Sequence, residues 1–146
     1  MLEPLCKEII HFGGVGAGTA YKLLMNLMGA VQIAGVAEGL LIAEKAGLDR
    51  KLVAKAISKG AAASPQVIRN VKRMAEDDHE KNITFTGALR LKDTLYGMAL
   101  AEDVSANARF GRVAAEAFGR LVADGLGDLS ETKVIDVLRR PAEEDN

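Results

Sequence analysis

Residues 19 to about 46 contain no proline, consist mostly of strong helix formers, and run into Gly47-Leu48-Asp49, a C-terminal glycine followed by a new N-cap. That predicts one long helix. At ~1.5 Å per residue it would reach about 40 Å, more than the width of a domain this size, so it must project or be wrapped. Its apolar residues, from Leu23, Leu24, Met25, Leu27 and Met28 to Val36, Leu40, Leu41 and Ile42, run nearly all the way round. Such a helix is covered on most faces. Part of that cover is expected from another chain or domain, which makes a homodimer the expected assembly. The apolar run over residues 23–42 approaches the ~20 residues that span a bilayer. Asn26, Gln32 and Glu38 interrupt it, and Glu44-Lys45 follow at once, so the reading is a buried helix of a soluble domain with no membrane partner.

Downstream, caps and three-four spacings predict further helices. Asp49 caps residues 50–59, where Leu52, Val53, Ala56 and Ile57 share a face. Ser64-Pro65 opens the next helix, with Val67, Ile68 and Val71 as its apolar side, and residues 76–82 form a polar loop. Thr84 or Thr86 caps a second long helix running to about Val104, whose Leu89, Leu91, Leu95, Met98 and Leu100 supply its apolar face. Residues 107–123 and 130–138 give two more helices, and the acidic segment after Pro141 reads as a disordered tail. Residues 9–12 alone resemble a strand. With 146 residues and no shift of composition, the fold class is all-α, a single helical domain with one long N-terminal helix and about five further helices.

Charge and cysteine content narrow the partners. Nineteen basic and twenty acidic residues are well mixed, and 4% aromatic content with no Trp leaves little for stacking bases, so nucleic acid is disfavoured. The lone Cys6 cannot form an internal disulfide and reads as a small buried residue in a reducing, cytoplasmic setting; the N-terminus lacks a secretory pattern. His11 and His79 have too few Cys or Asp neighbours in sequence to suggest a metal site. Arg69, Lys72 and Arg73, followed by Glu76, Asp77 and Asp78, read as a solvated face, and Met25, Met28 and Met98 as core filling.

The stretch GGVGAGTAYKLLMN, residues 13–26, superficially resembles a nucleotide-binding loop. A dinucleotide fingerprint started at Gly14 requires a third glycine at position 19, which is Thr19, and no second strand follows to carry Glu38 to a ribose. The better reading is a tightly packed approach to the long helix. There Lys22 falls in the first turns and Asn26 one turn later on the same face. The helix dipole and partial burial would both favour a neutral Lys22, a general acid or base; a surface lysine beside a polar neighbour is the alternative on spacing alone.

These segments resemble the C-terminal domain of the β-hydroxyacid dehydrogenases, the family of 3-hydroxyisobutyrate dehydrogenase and tartronate semialdehyde reductase, more distantly related to 6-phosphogluconate dehydrogenase. G-x-V-G-x-G-x-x-x-K-x-x-x-N over residues 13–26 matches the family's catalytic-lysine motif. Ala37-Glu38-Gly39-Leu40 through Gly47-Leu48-Asp49 matches a second run, and Phe85 with Lys92-Asp93 seven residues on matches a third. The resemblance implies a 6-phosphogluconate dehydrogenase C-terminal-domain-like fold over residues 13–140. It also implies an NAD- or NADP-dependent oxidoreductase interconverting a small β-hydroxy acid and its semialdehyde. Lys22 would be the catalytic proton carrier, Asn26 would bind substrate, and Lys92 would lie beside the cofactor; Asp93 is expected to orient Lys92 or cap locally. An imine reductase on the same scaffold would carry a different residue at position 22. The family also places a Rossmann domain before this point, and residues 1–12 resemble only its end. The expectation is therefore a half-protein or fragment whose partner domain is supplied in cis or in trans and which shows no turnover alone. A non-enzymatic helical oligomerisation or binding module is the competing expectation.

Overall fold

The computed structural model describes residues 8–140, so Cys6 and the acidic segment over residues 141–146 lie outside the described part. The described residues form six α-helices and no strand: α1 (Ala17–Lys45), α2 (Arg50–Ile57), α3 (Pro65–Ala75), α4 (Gly87–Asp103), α5 (Arg109–Ala123) and α6 (Val134–Arg139), the last preceded by a 3-10 turn over Glu131–Lys133. The all-α expectation holds. The strand expected over residues 9–12 does not form: Ile9, Ile10 and Phe12 are exposed, and no extended neighbour offers the pairing a strand requires.

Local chemistry sets the boundaries. Gly16 takes a left-handed conformation, φ 91°, at the N-cap of α1, so the helix starts two residues before Thr19 without a side-chain cap. The Asp49, Ser64 and Thr86 side chains accept hydrogen bonds from the backbone N–H groups of Leu52, Val67 and Leu89, closing the first turns of α2, α3 and α4. Of the two candidate caps for α4, Thr86 is the one used.

Helix α1 is the axis of the domain, and every other helix packs against it. Its second half is wrapped: Ile33, Ala37 and Leu40 are fully buried with Val71 and Met74 of α3, Phe118 and Leu121 of α5, and Val134 and Ile135 of α6. The first half is not wrapped. Leu24, Met25 and Met28 are 42%, 42% and 50% exposed, so Met25 and Met28 are not core filling in this chain. By length and composition α1 could cross a membrane, and a third of its most apolar window is buried by the other helices.

Helix α4 is rotated from the expected orientation, although Leu91 still packs against the core. Gly87, Arg90, Thr94 and Gly97 form its buried face, while Leu89, Leu95 and Tyr96 point outward at 43%, 49% and 57% exposure. Close approach explains the rotation. A Cβ on Gly97 would lie 2.8 Å from Leu27 Cβ and 2.9 Å from the Leu23 carbonyl oxygen, so α1 and α4 meet almost backbone to backbone, where larger side chains do not fit.

A charged cluster ties α1, α2, α6 and the loop after α3 together. Asp77 accepts from Arg50 at 2.5 Å and from Arg139 at 3.1 Å, and Arg139 also reaches Glu44 and Asp136. The Arg50 guanidinium, with Arg139 beside it, lowers the Asp77 carboxyl to about 2. Its stabilisation is therefore complete above the unfolded carboxylate range near 4 and is lost as pH falls toward 2. The Asp77 side chain is 45% exposed, so solvent screening holds the contribution to about 1 kcal/mol or less. Asp77→Asn should melt earlier than the parent at pH 7 and together with it near pH 2. An unchanged difference across that range would refute the ionic origin.

Candidate active site

The site begins where α1 and α4 touch. Lys22 and Asn26 stand on successive turns of one face of α1. Lys22 is exposed to solvent, so the partial burial expected from its place in the sequence is not found. Just before the helix, the Phe12 ring stacks on Tyr21 with centroids 4.1 Å apart, fixing the glycine-rich approach beside Lys22.

Asn26 is held in one orientation. Its Nδ2 donates to Asp93 Oδ2 at 3.1 Å, and a carboxylate can only accept, so the Asn26 amide nitrogen must face α4. The other oxygen of Asp93 lies 3.4 Å from Lys92 Nζ. Asp93 thus does more than orient its neighbour: it links Asn26 of α1 to Lys92 of α4. Lys92 stays 53% exposed, with its ammonium 5.9 Å from the Tyr96 ring centroid. Asn26, Asp93 and Lys92 form one continuous polar row, with Lys22 one helical turn beyond Asn26.

A buried assembly lies beneath this row. Arg90, 2% exposed, places Nε 2.6 Å from Oε2 of the 1% exposed Glu131 and donates from Nη1 to the Asn26 carbonyl oxygen at 3.3 Å. The guanidinium also sits over the Phe85 ring, 4.5 Å from its centroid. Asn70 Nδ2 satisfies the second oxygen of Glu131 at 3.3 Å. This network joins α1, α3, α4 and the turn before α6 under the residue that presents the Asn26 amide.

Sequence reasoning missed Arg90, Glu131 and the Asn26–Asp93 bond. Asn26 and Asp93 are 67 positions apart, and nothing local couples them. A signal for Arg90 did exist in the spacing of Gly87, Arg90, Thr94 and Gly97, small and polar residues repeating at helical intervals. The fold also supplies His79 with the acidic neighbours its sequence surroundings lack: donor atoms of Asp77, His79 and Asp136 lie within 4.8 Å of one another. Burial pushes His79 below its usual pKa, and its Nδ1 pairs with Thr132 Oγ1 at 2.9 Å. Both carboxylates already serve cations, Asp77 with Arg50 and Arg139, Asp136 with Lys133 and Arg139, so the chemistry is that of an ion-pair network.

Comparison with known proteins shows the family. Residues 16–138 match the family model described as NAD-binding of NADP-dependent 3-hydroxyisobutyrate dehydrogenase. A probable 3-hydroxyisobutyrate dehydrogenase of Mycobacterium tuberculosis is 32% identical over 98% of this chain and 50% of its own length. Glyoxylate/succinic semialdehyde reductase 2 of Arabidopsis thaliana is 29% identical over 94% of this chain and 38% of its own. Among solved structures, Mycobacterium tuberculosis 3-hydroxyisobutyrate dehydrogenase with L-serine superposes with a TM-score of 0.81 at 32% identity, covering 95% of this chain and 49% of that one. A 3-hydroxyisobutyrate dehydrogenase from Salmonella typhimurium, TM-score 0.79 at 20% identity, shares the fold. The class these findings define is a helical dehydrogenase domain. The chain belongs to the β-hydroxyacid dehydrogenase family. It spans about half the length, or less, of the curated relatives it matches.

Proposed function

We propose that this chain is the C-terminal, catalytic-lysine half of an NAD(P)-dependent dehydrogenase that oxidises a small β-hydroxy acid to its semialdehyde, or reduces the semialdehyde back. The observation that carries the reading is the row of Lys22, Asn26, Asp93 and Lys92 at the α1–α4 contact. In the oxidative direction the neutral Lys22 amine takes the proton of the substrate hydroxyl while the C–H hydrogen leaves that carbon as hydride. In the reverse direction its ammonium returns the proton. NAD or NADP, when bound, supplies the hydride acceptor or donor. Asn26, with its amide nitrogen engaged by Asp93, turns its oxygen toward the substrate hydroxyl. Lys92 offers an exposed ammonium, which suits the negative charge of a dinucleotide. L-serine, present in the Mycobacterium structure, is itself a β-hydroxy acid, which supports the substrate class.

The rest of the cofactor seat belongs, in this proposal, to a Rossmann domain in cis or in trans, in keeping with the half-length coverage of the relatives. A cytoplasmic homodimer is part of the same reading. Its support is the apolar surface of Leu24, Met25 and Met28 on α1, Leu95 and Tyr96 on α4, and Phe110, 80% exposed, at the start of α5. A surface of that kind calls for cover. The test joins the chain to a family Rossmann domain by fusion or mixing and follows NAD(P)H absorbance across a panel of β-hydroxy acids. The chain alone is expected to be inactive and the reassembled protein active. Failure of every acid with a folded, cofactor-binding assembly would refute the dehydrogenase reading. Light scattering that shows a strict monomer at high concentration would refute the dimer.

A further inference from the structure

Away from the α1–α4 row, helices α2 and α3 border a half-open hollow of about 320 Å³. Its walls carry four lysines, Lys51, Lys55 and Lys59 from the α2 segment and Lys72 from α3, against one carboxylate, Glu76. Its floor is small and apolar, Ala54 and Ala75 being 4% and 2% exposed. We infer that this hollow binds a small organic anion with at least two negative charges and a short apolar body, the chemistry of an alkyl phosphate ester.

Charge placement carries the inference. Lys51 and Lys55 stand four residues apart on one face of α2, a like-charge spacing that disfavours a helix, and Lys59 follows just past its end. Helix dipoles favour Lys55 and Lys72, which stand in the last turns of α2 and α3, but Lys51 is in the first turn of α2, where the dipole opposes it. Glu76 offsets one of the four charges, and the acids nearby are engaged elsewhere. Asp77 is engaged by Arg50 and Arg139, and Asp136 by Lys133 and Arg139. Among the described residues, none of the four lysines forms an ion pair. The sequence reading of Lys72 as part of a solvated face overlooked this, because its three companions come from another helix. A ligand with two or more negative charges would neutralise the cluster, while its apolar part would rest on Ala54, Ala75 and the lysine methylenes. The volume lies at the lower end of small-molecule sites, about 300–1,000 Å³.

The test titrates the full 146-residue chain with hexyl phosphate at low salt and follows backbone amide shifts. Shifts are expected to centre on Ala54, Ser58 and Ala75, with binding at least tenfold tighter than that of inorganic phosphate or hexanol alone. Lys55→Gln/Lys72→Gln should weaken binding at least tenfold while the domain still melts cooperatively, whereas Lys81→Gln, outside the hollow, should not weaken it. Undiminished binding by the double variant, equal binding of inorganic phosphate, or shifts centred instead on Leu27 and Phe110 would each overturn the proposal. Removing residues 141–146 is expected to leave the affinity unchanged. A tenfold gain on that removal would assign the hollow to Glu143, Glu144 and Asp145 and overturn it as well.

Discussion

Lys22→Ala in the reassembled dehydrogenase should lower kcat by about 10²–10⁴-fold, with a much smaller change in KM. The residue is asked to move one proton between the substrate oxygen and its own nitrogen, and alanine removes that nitrogen. The contacts proposed to hold the substrate, centred on Asn26, should remain. Helix α1 should be undisturbed, because Lys22 is exposed and makes no ion pair among the described residues. Added methylamine should restore part of the rate to Lys22→Ala by occupying the vacated space, a response that a merely structural lysine would not give. A variant that keeps more than a tenth of the parent kcat would remove Lys22 from the chemistry. Substitution of Asn26 by alanine should show the opposite split, with KM rising more than kcat falls.

Glu131→Ala should destabilise the domain by about 3–5 kcal/mol, because it leaves the Arg90 guanidinium buried without its counterion. The pair is 1–2% exposed on both sides, so water cannot take over the lost interaction. For a chain of this length the melting temperature should fall by about 10–15 °C, read by circular dichroism. Glu131→Gln, which keeps the shape and acceptor but loses the charge, should fall between alanine and the parent. Replacing both partners, Arg90→Met with Glu131→Leu, should recover most of the loss, since no charge is then stranded. A loss below about 1 kcal/mol in Glu131→Ala would show that water reaches Arg90 after all. Because Arg90 also donates to the Asn26 carbonyl, the double replacement tests a second point in the reassembled enzyme: KM should rise even though stability returns.

Local signals made most of the fold legible. Asp49, Ser64 and Thr86 mark helix starts by their own chemistry, and the glycines at 47 and 125, both with positive φ, mark ends. The length of α1 follows from the absence of proline and the density of helix formers over residues 19–46. The strand over residues 9–12 failed because a strand needs a partner that the described residues do not provide. The orientation of α4 failed for a different reason. Burial was assigned to its leucines, yet Gly97 meets α1 and Gly87 meets Leu121 of α5 at distances that leave no room for larger side chains, so Leu89 and Leu95 turn outward while Leu91 keeps a place against the core.

Of the candidate site, the sequence by itself determined the Lys22–Asn26 pair, since the four-residue spacing on a helix fixes their common face whatever packs around them. It also determined that residues 13–18 fail the dinucleotide template, a matter of spacing alone. Only the tertiary structure decided that Asp93 holds Asn26, that Arg90 and Glu131 support both, and that four lysines from two helices surround one hollow. The physical reason is the same in each case. Helical periodicity is encoded within a few residues, whereas which faces meet depends on the volumes of side chains from distant segments at one contact.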